Sequence, residues 1–120
     1  MPVPVDKRVK AIVLMYADAL KNKDVPVKAV ILFGSHAIGS HARGNSTPNA
    51  DIDVLVITER LDKKIRDTIK DEAHRISLKE NVPVTALACD MQEFQSPSFQ
   101  AEPLYREITR KGIIFHRETW

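Results

Sequence analysis

Apolar positions recur with two different periods along this chain, and the switches between them outline its elements. Val9, Ile12, Val13, Tyr16 and Leu20 repeat at helical spacing, so Asp6 to about Asn22 reads as an amphipathic helix. The run Asn22-Lys23-Asp24-Val25-Pro26 then interrupts the pattern. From Lys28 to Phe33 the residues are β-branched or aliphatic almost without a break, which predicts a strand buried on both faces, and Gly34 punctuates its end. Asn45-Ser46-Thr47-Pro48-Asn49 has the composition of a loop, and Asp51–Ile57 follows as a second strand.

Asp62 is placed to cap a further helix, in which Ile65, Ile69, Ala73 and Ile76 share a face through about Glu80. Val82–Cys89 reads as a strand delayed by Pro83. Ser96-Pro97 marks a break, Pro103 suits the first turn of a helix running to Lys111, and Gly112 stops it. Ile113–His116 forms a last short strand. With a helix after Gly34, the order α-β-α-β-α-β-α-β predicts an α/β (α+β layered) fold: one domain over residues 1–120, with helices packed on a small mixed sheet.

Chemistry concentrates between the first two strands. Residues 34–43 read Gly-Ser-His-Ala-Ile-Gly-Ser-His-Ala-Arg, a nearly perfect tandem copy of five residues. Glycine lets backbone approach a ligand, and a serine hydroxyl can cap the helix that follows, whose free N–H groups favour an anion. Beyond the loop, Asp51 and Asp53 project to one side of their strand with Leu55 and Ile57, while Ile52, Val54 and Val56 pack opposite. Two carboxylates one strand repeat apart repel each other unless a cation intervenes, and Mg²⁺ is the natural oxygen-ligated choice. Alone, an Asp-x-Asp is most simply a solvated pair of acids. If the strand entering Gly34 lies beside the strand leaving Asp51, the two features meet as a metal–triphosphate site.

Composition narrows the alternatives. With 120 residues, 43% hydrophobic and 28% charged, the chain is that of an ordinary globular protein. Its longest apolar runs are strand-sized, short of the roughly 20 residues that span a bilayer, and Met-Pro-Val-Pro-Val-Asp-Lys-Arg lacks an apolar signal region, so a cytoplasmic location is the default. The single cysteine, Cys89, allows no internal disulfide and no zinc cluster, and reads as a small buried apolar residue. A net charge of +2 with cations interleaved among acids (Lys63, Lys64 and Arg66 beside Asp62, Asp67, Asp71 and Glu72) describes a solvated helix face and does not indicate nucleic-acid binding.

The segment Val30-Ile31-Leu32-Phe33-Gly34-Ser35, then Ala42-Arg43-Gly44, then Thr47-Pro48-Asn49-Ala50-Asp51-Ile52-Asp53-Val54-Leu55-Val56 resembles the minimal nucleotidyltransferases of the DNA polymerase β superfamily. Their pattern is a strand, Gly-Ser, about ten residues, then Asp-x-Asp opening a strand. The resemblance continues weakly through Met91-Gln92-Glu93-Phe94 and Pro103–Ile108 to Gly112-Ile113. It implies the polymerase β-like nucleotidyltransferase fold and Mg²⁺-dependent transfer of a nucleoside monophosphate, AMP from ATP being the first choice, to a hydroxyl of a protein or other acceptor. Asp51 and Asp53 would be the catalytic residues and hold two Mg²⁺ ions; Gly34 and Ser35, or their copies Gly39 and Ser40, would cradle the phosphates, with Arg43 in reach of them. It further implies pairing with a helical HEPN protein (higher eukaryotes and prokaryotes nucleotide-binding), the nucleotidyltransferase acting as antitoxin by modifying a HEPN tyrosine. A homo-oligomer is allowed.

Two departures bear on activity. Gly39-Ser40 leaves ten residues before Asp51, the family spacing, whereas Gly34-Ser35 leaves fifteen but follows the strand directly. A cradle depends on the rigid strand end that aims it, and a return loop tolerates added residues at small entropic cost, which favours Gly34-Ser35. The insertion disabling the site stays open. Active members also carry a third carboxylate on a neighbouring strand. Here that strand is Val82–Cys89, without an acid; Thr85 sits near the expected place, and Asp90 could substitute only if the strand end curled inward. A catalytically weak or inactive module that binds nucleotide or a partner is therefore the alternative. His36 and His41 read as solvent-facing bystanders, His74 as solvated, and Phe94, Phe99, Tyr105 and Trp120 as core or interface aromatics.

Overall fold

The alternation of side chains along one central strand decides which helix lies on which face of the sheet. The computed structural model describes residues 7–34 and 51–117. They form α1 (Lys7–Asn22), β1 (Val27–Phe33), β2 (Ile52–Thr58), α2 (Lys63–Glu80), β3 (Val84–Asp90), α3 (Met91–Phe94), α4 (Pro97–Gln100), α5 (Pro103–Lys111) and β4 (Ile113–Arg117). Among the described residues the sheet has the order β3-β2-β1-β4. β1 runs antiparallel to both β2 and β4, and β2 runs parallel to β3, so the sheet is mixed as expected. A parallel pair needs a crossover, and α2 supplies it.

Ile52, Val54 and Val56 of β2 turn towards α1 and α2, joining Ile12, Val13, Tyr16 and Leu20 with Ile65, Ile69 and Ile76 in one buried cluster. Leu55 and Ile57 turn the other way, to Ala29, Ile31, Phe33, Cys89 and Ile108, beneath Phe94, Phe99 and Leu104 of the short helices. Both central strands are thus buried on two faces, which is why they read as continuous apolar runs instead of alternating ones.

Local signals account for most boundaries. Asp62 caps α2 by accepting from the Ile65 amide at 2.8 Å, and Asn81 ends it in the left-handed conformation. Tyr16, fully buried, donates its hydroxyl to the Ile69 carbonyl at 2.7 Å and so ties α1 to α2. α5 starts on Pro103 and stops at Lys111 before Gly112, at the bounds read from the pattern.

Two expectations need correction. β3 begins at Val84, not Val82. Val82 is buried nonetheless, but its amide bonds the Ser77 carbonyl in the turn leaving α2. Two helices of four residues each, α3 and α4, occupy a stretch read only as a break. Asp90 and Ser96 cap them through the Glu93 and Phe99 amides, a pattern too short to leave an apolar period. The helix expected after Gly34 lies outside the described residues.

Cys89 is buried as anticipated, and its thiol is pushed from 9.0 up to about 12, first by burial and then by Glu93 and Asp90, with Arg66 opposing. The Tyr16 phenol is raised above its usual 10.0 by burial and secondarily by Glu72. Both groups hold their protons more tightly folded than unfolded, so their contribution is complete below pH 9 and lost as pH climbs. The urea midpoint should therefore fall from pH 9 upward, and Cys89→Ala should flatten the fall between pH 9 and 10, before Tyr16 responds. Asp62→Ala should cost about 1 kcal/mol in the same urea titration, the usual worth of an N-cap.

Candidate functional site

The antiparallel register of β1 and β2 ends at the pair Phe33 and Asp53, so the chain leaves β1 at the level of the second aspartate. Gly34 follows with φ of 81°, a left-handed conformation that side-chain-bearing residues rarely adopt. Its backbone lies against the Asp53 carboxylate: a Cβ built on Gly34 would sit 2.6 Å from Asp53 Oδ2. Glycine is required here twice over, by conformation and by space. The strand end, the glycine and the carboxylate are brought together as the sequence pattern anticipated.

Asp53 is half-buried on the face of β2 shared with Leu55 and Ile57, and the same alternation carries Asp51, exposed just before the strand, to that side. The Ile52 amide, donating 2.9 Å to the Pro83 carbonyl, holds the intervening residue to the start of β3. Asp51 and Asp53 thus offer oxygen donors a strand repeat apart at the rim of the sheet. Mg²⁺ ordinarily takes one or two carboxylates and completes its shell with waters and phosphate oxygens, so this pair fits that ion. Among the described residues no group of three or more His, Cys, Asp and Glu side chains lies within reach of one metal. Ser35, Gly39, Ser40 and Arg43 lie outside the described residues, as do His36, His41 and Trp120.

β3 fixes what faces the aspartates from the other side. Thr85 pairs with Asp53 in parallel register and shares its face, the position where an additional carboxylate was sought. Asp90 pairs with Thr58 at the opposite end of the strand, roughly 17 Å away at the usual rise per residue. Its carboxylate accepts from the Glu93 amide at 2.7 Å, and the chain turns there into α3. Asp90 therefore does not complete the site. Phe94, Phe99 and Tyr105 pack on one another with centroids 5.5–6.0 Å apart, a structural cluster under the sheet. His74 is exposed on α2.

Sequence reasoning missed a cleft of about 280 Å³ along the outer edge of β3, lined by Leu55, Leu87 and Phe99 with Arg66, Lys70 and Glu93 at its margin. The available signal was the strand itself, which carries no charge before Asp90. None of the described helices is long and apolar enough to cross a membrane.

The small mixed sheet, with helices on both faces and an Asp-x-Asp strand beside a glycine-terminated one, defines a nucleotidyltransferase fold. The chain belongs to the nucleotidyltransferase domain family, which it matches over residues 15–115. It resembles a toxin–antitoxin complex solved with AMP-PNP, at 17% identity over 92% of this chain and 74% of the other, with a TM-score of 0.57. It also resembles a complex of a tri-AMPylated Shewanella oneidensis HEPN toxin with its MNT antitoxin (15% identity, 92% and 73% covered, TM-score 0.57). A Sulfolobus solfataricus protein assigned as a nucleotidyltransferase shows the same fold (16% identity, 92% and 82% covered, TM-score 0.55). Comparison with curated proteins finds no match.

Gly34→Ala should press a methyl group onto the Asp53 carboxylate and strain the backbone. A destabilisation of about 1–3 kcal/mol is expected by thermal or urea unfolding, together with a loss of nucleotide affinity larger than that of Ser40→Ala.

Proposed function

We propose that this protein is a Mg²⁺-dependent nucleotidyltransferase that moves AMP from ATP to a hydroxyl of a HEPN-family protein, as the antitoxin of a toxin–antitoxin pair. The observation that carries the reading is the close approach of Gly34 to the Asp53 carboxylate, because it joins the two halves of the motif at one rim. The solved complexes of this fold with HEPN toxins, one of them tri-AMPylated, suggest the acceptor.

In this reading Asp51 and Asp53 hold the metal, and Gly34 with Ser35 cradles the triphosphate. Mg²⁺, when bound, supplies positive charge to the triphosphate and lowers the pKa of the attacking hydroxyl. The acceptor hydroxyl releases its proton to water, its oxygen forms a bond to the α-phosphorus, the bond from that phosphorus to the bridging oxygen breaks, and pyrophosphate leaves. Gly34, lacking a side chain, leaves room for phosphate beside Asp53. The half-buried position of Asp53 strengthens its attraction for a cation, because charges interact more strongly away from bulk water.

A second reading, a module that binds nucleotide with little or no transfer, is favoured by Thr85: the residue facing Asp53 from β3 is not an acid. Fewer anionic ligands hold the acceptor-side metal more weakly. Incubation with ATP labelled at the α-phosphate and purified HEPN protein separates the two. Label on the HEPN protein that drops at least 100-fold for Asp53→Asn and Asp51→Asn supports transfer. Calorimetric binding of Mg²⁺-ATP without label transfer supports the module, and no heat at all rejects both.

A further inference from the structure

β3 is an edge strand whose polar groups are open on one side among the described residues. The Pro83 carbonyl accepts from Ile52, which sets the alternation: residues 83, 85, 87 and 89 direct their amides and carbonyls at β2, and 84, 86 and 88 direct theirs outward. The first outward amide is already used, since Val84 N–H donates to the Ser77 hydroxyl at 2.8 Å. The next outward amides are those of Ala86 and Ala88, whose small side chains let another backbone come close.

Sheet edges of this kind pair with added strands unless they are blunted. β4, at the other edge, has a register break against β1 and ends in arginine. β3 has neither an internal proline nor a charge before Asp90. Beside it lies the 280 Å³ cleft, floored by Leu55, Leu87 and Phe99. Leu87 is 41% exposed at this cleft.

We infer that the outer edge of β3 is the docking rail for the acceptor protein, which adds an extended segment to the sheet and seats one apolar side chain in the cleft. This rests on the proposed transferase activity and names how its substrate is held. Register supplies the link. Thr85 lies beside Asp53, so a strand added outside β3 runs about 10 Å from β2, two strand spacings. A residue of that strand level with Thr85, on the same face, lies within side-chain reach of the Asp53 site. The residue two positions along lies level with Leu87, over the cleft. The segment therefore carries its hydroxyl and its apolar anchor two positions apart.

Charge selects its chemistry. Arg66 and Lys70 stand one helical turn apart at the cleft margin, and neither forms an ion pair within the described residues. With Glu93 opposite, the margin is net positive and suits an acidic residue beside the anchor. A second copy of this chain fits less well. Pairing β3 with itself about a two-fold axis normal to the sheet would bring both Arg66–Lys70 pairs to the same side.

The test is amide exchange read residue by residue, with purified HEPN-family protein from the same genome as the probe. Ala86 and Ala88 amides should exchange freely in the protein alone and slow at least 10-fold in the complex. A complex in which both still exchange freely overturns the inference, as does the absence of any complex. Slowing that grows with the protein's own concentration, without the probe, also overturns it in favour of a second copy. Ala88→Pro removes an outward donor and no ladder bond, and Leu87→Lys charges the cleft. Each should raise the acceptor KM at least 10-fold while Mg²⁺-ATP affinity, measured by calorimetry, stays unchanged; an unaltered KM in both overturns the inference. Label transfer without protection keeps the transferase and rejects the rail, whereas protection without transfer keeps the rail and rejects the transferase.

Discussion

Because β1 and β2 are buried on both faces, a slip of one residue in their pairing would turn every core side chain of one strand to the wrong layer. That constraint holds the rest of the structure. It sends Ile52, Val54 and Val56 to α1 and α2, and Leu55 and Ile57 to the short helices. It also makes Phe33 the partner of Asp53, so that the chain must turn at Gly34 directly against a carboxylate. A structural register thus sets the geometry of the candidate site, and no separate device is needed to aim it.

The two edges of the sheet are unlike for reasons that follow from the same layering. β4 pairs with β1 through a register break, while β3 lies at the end of a parallel crossover with no charge before Asp90. The residue on β3 that faces Asp53 is Thr85, and the acid at the strand's far end is committed to capping α3. One strand therefore carries both the threonine beside Asp53 and a sheet edge left unpaired among the described residues.

Much of the fold was legible as pattern. The helical spacing of Val9 to Leu20 and of Ile65 to Ile76, the apolar runs of β1 and β2, and Pro103 with Gly112 around α5 each report a local requirement that a linear sequence can express. α3 and α4 were missed because four residues cannot display a 3.6-residue period, and their caps also read as ordinary turn residues. The start of β3 was misplaced because Val82 is buried without belonging to a strand.

The sequence alone determined the class of chemistry, since glycine after an apolar strand and an Asp-x-Asp opening the next are properties of residue type and order. It also pointed to Cys89 as a small buried residue and to a sheet covered on two faces. Only the tertiary structure decided which groups meet. That Gly34 touches Asp53, that Thr85 faces it and Asp90 does not, and that the backbone groups of Ala86 and Ala88 point outward all follow from strand order and register. Those are relations between segments distant in the chain, and hydrogen-bonded pairing across the sheet is what establishes them.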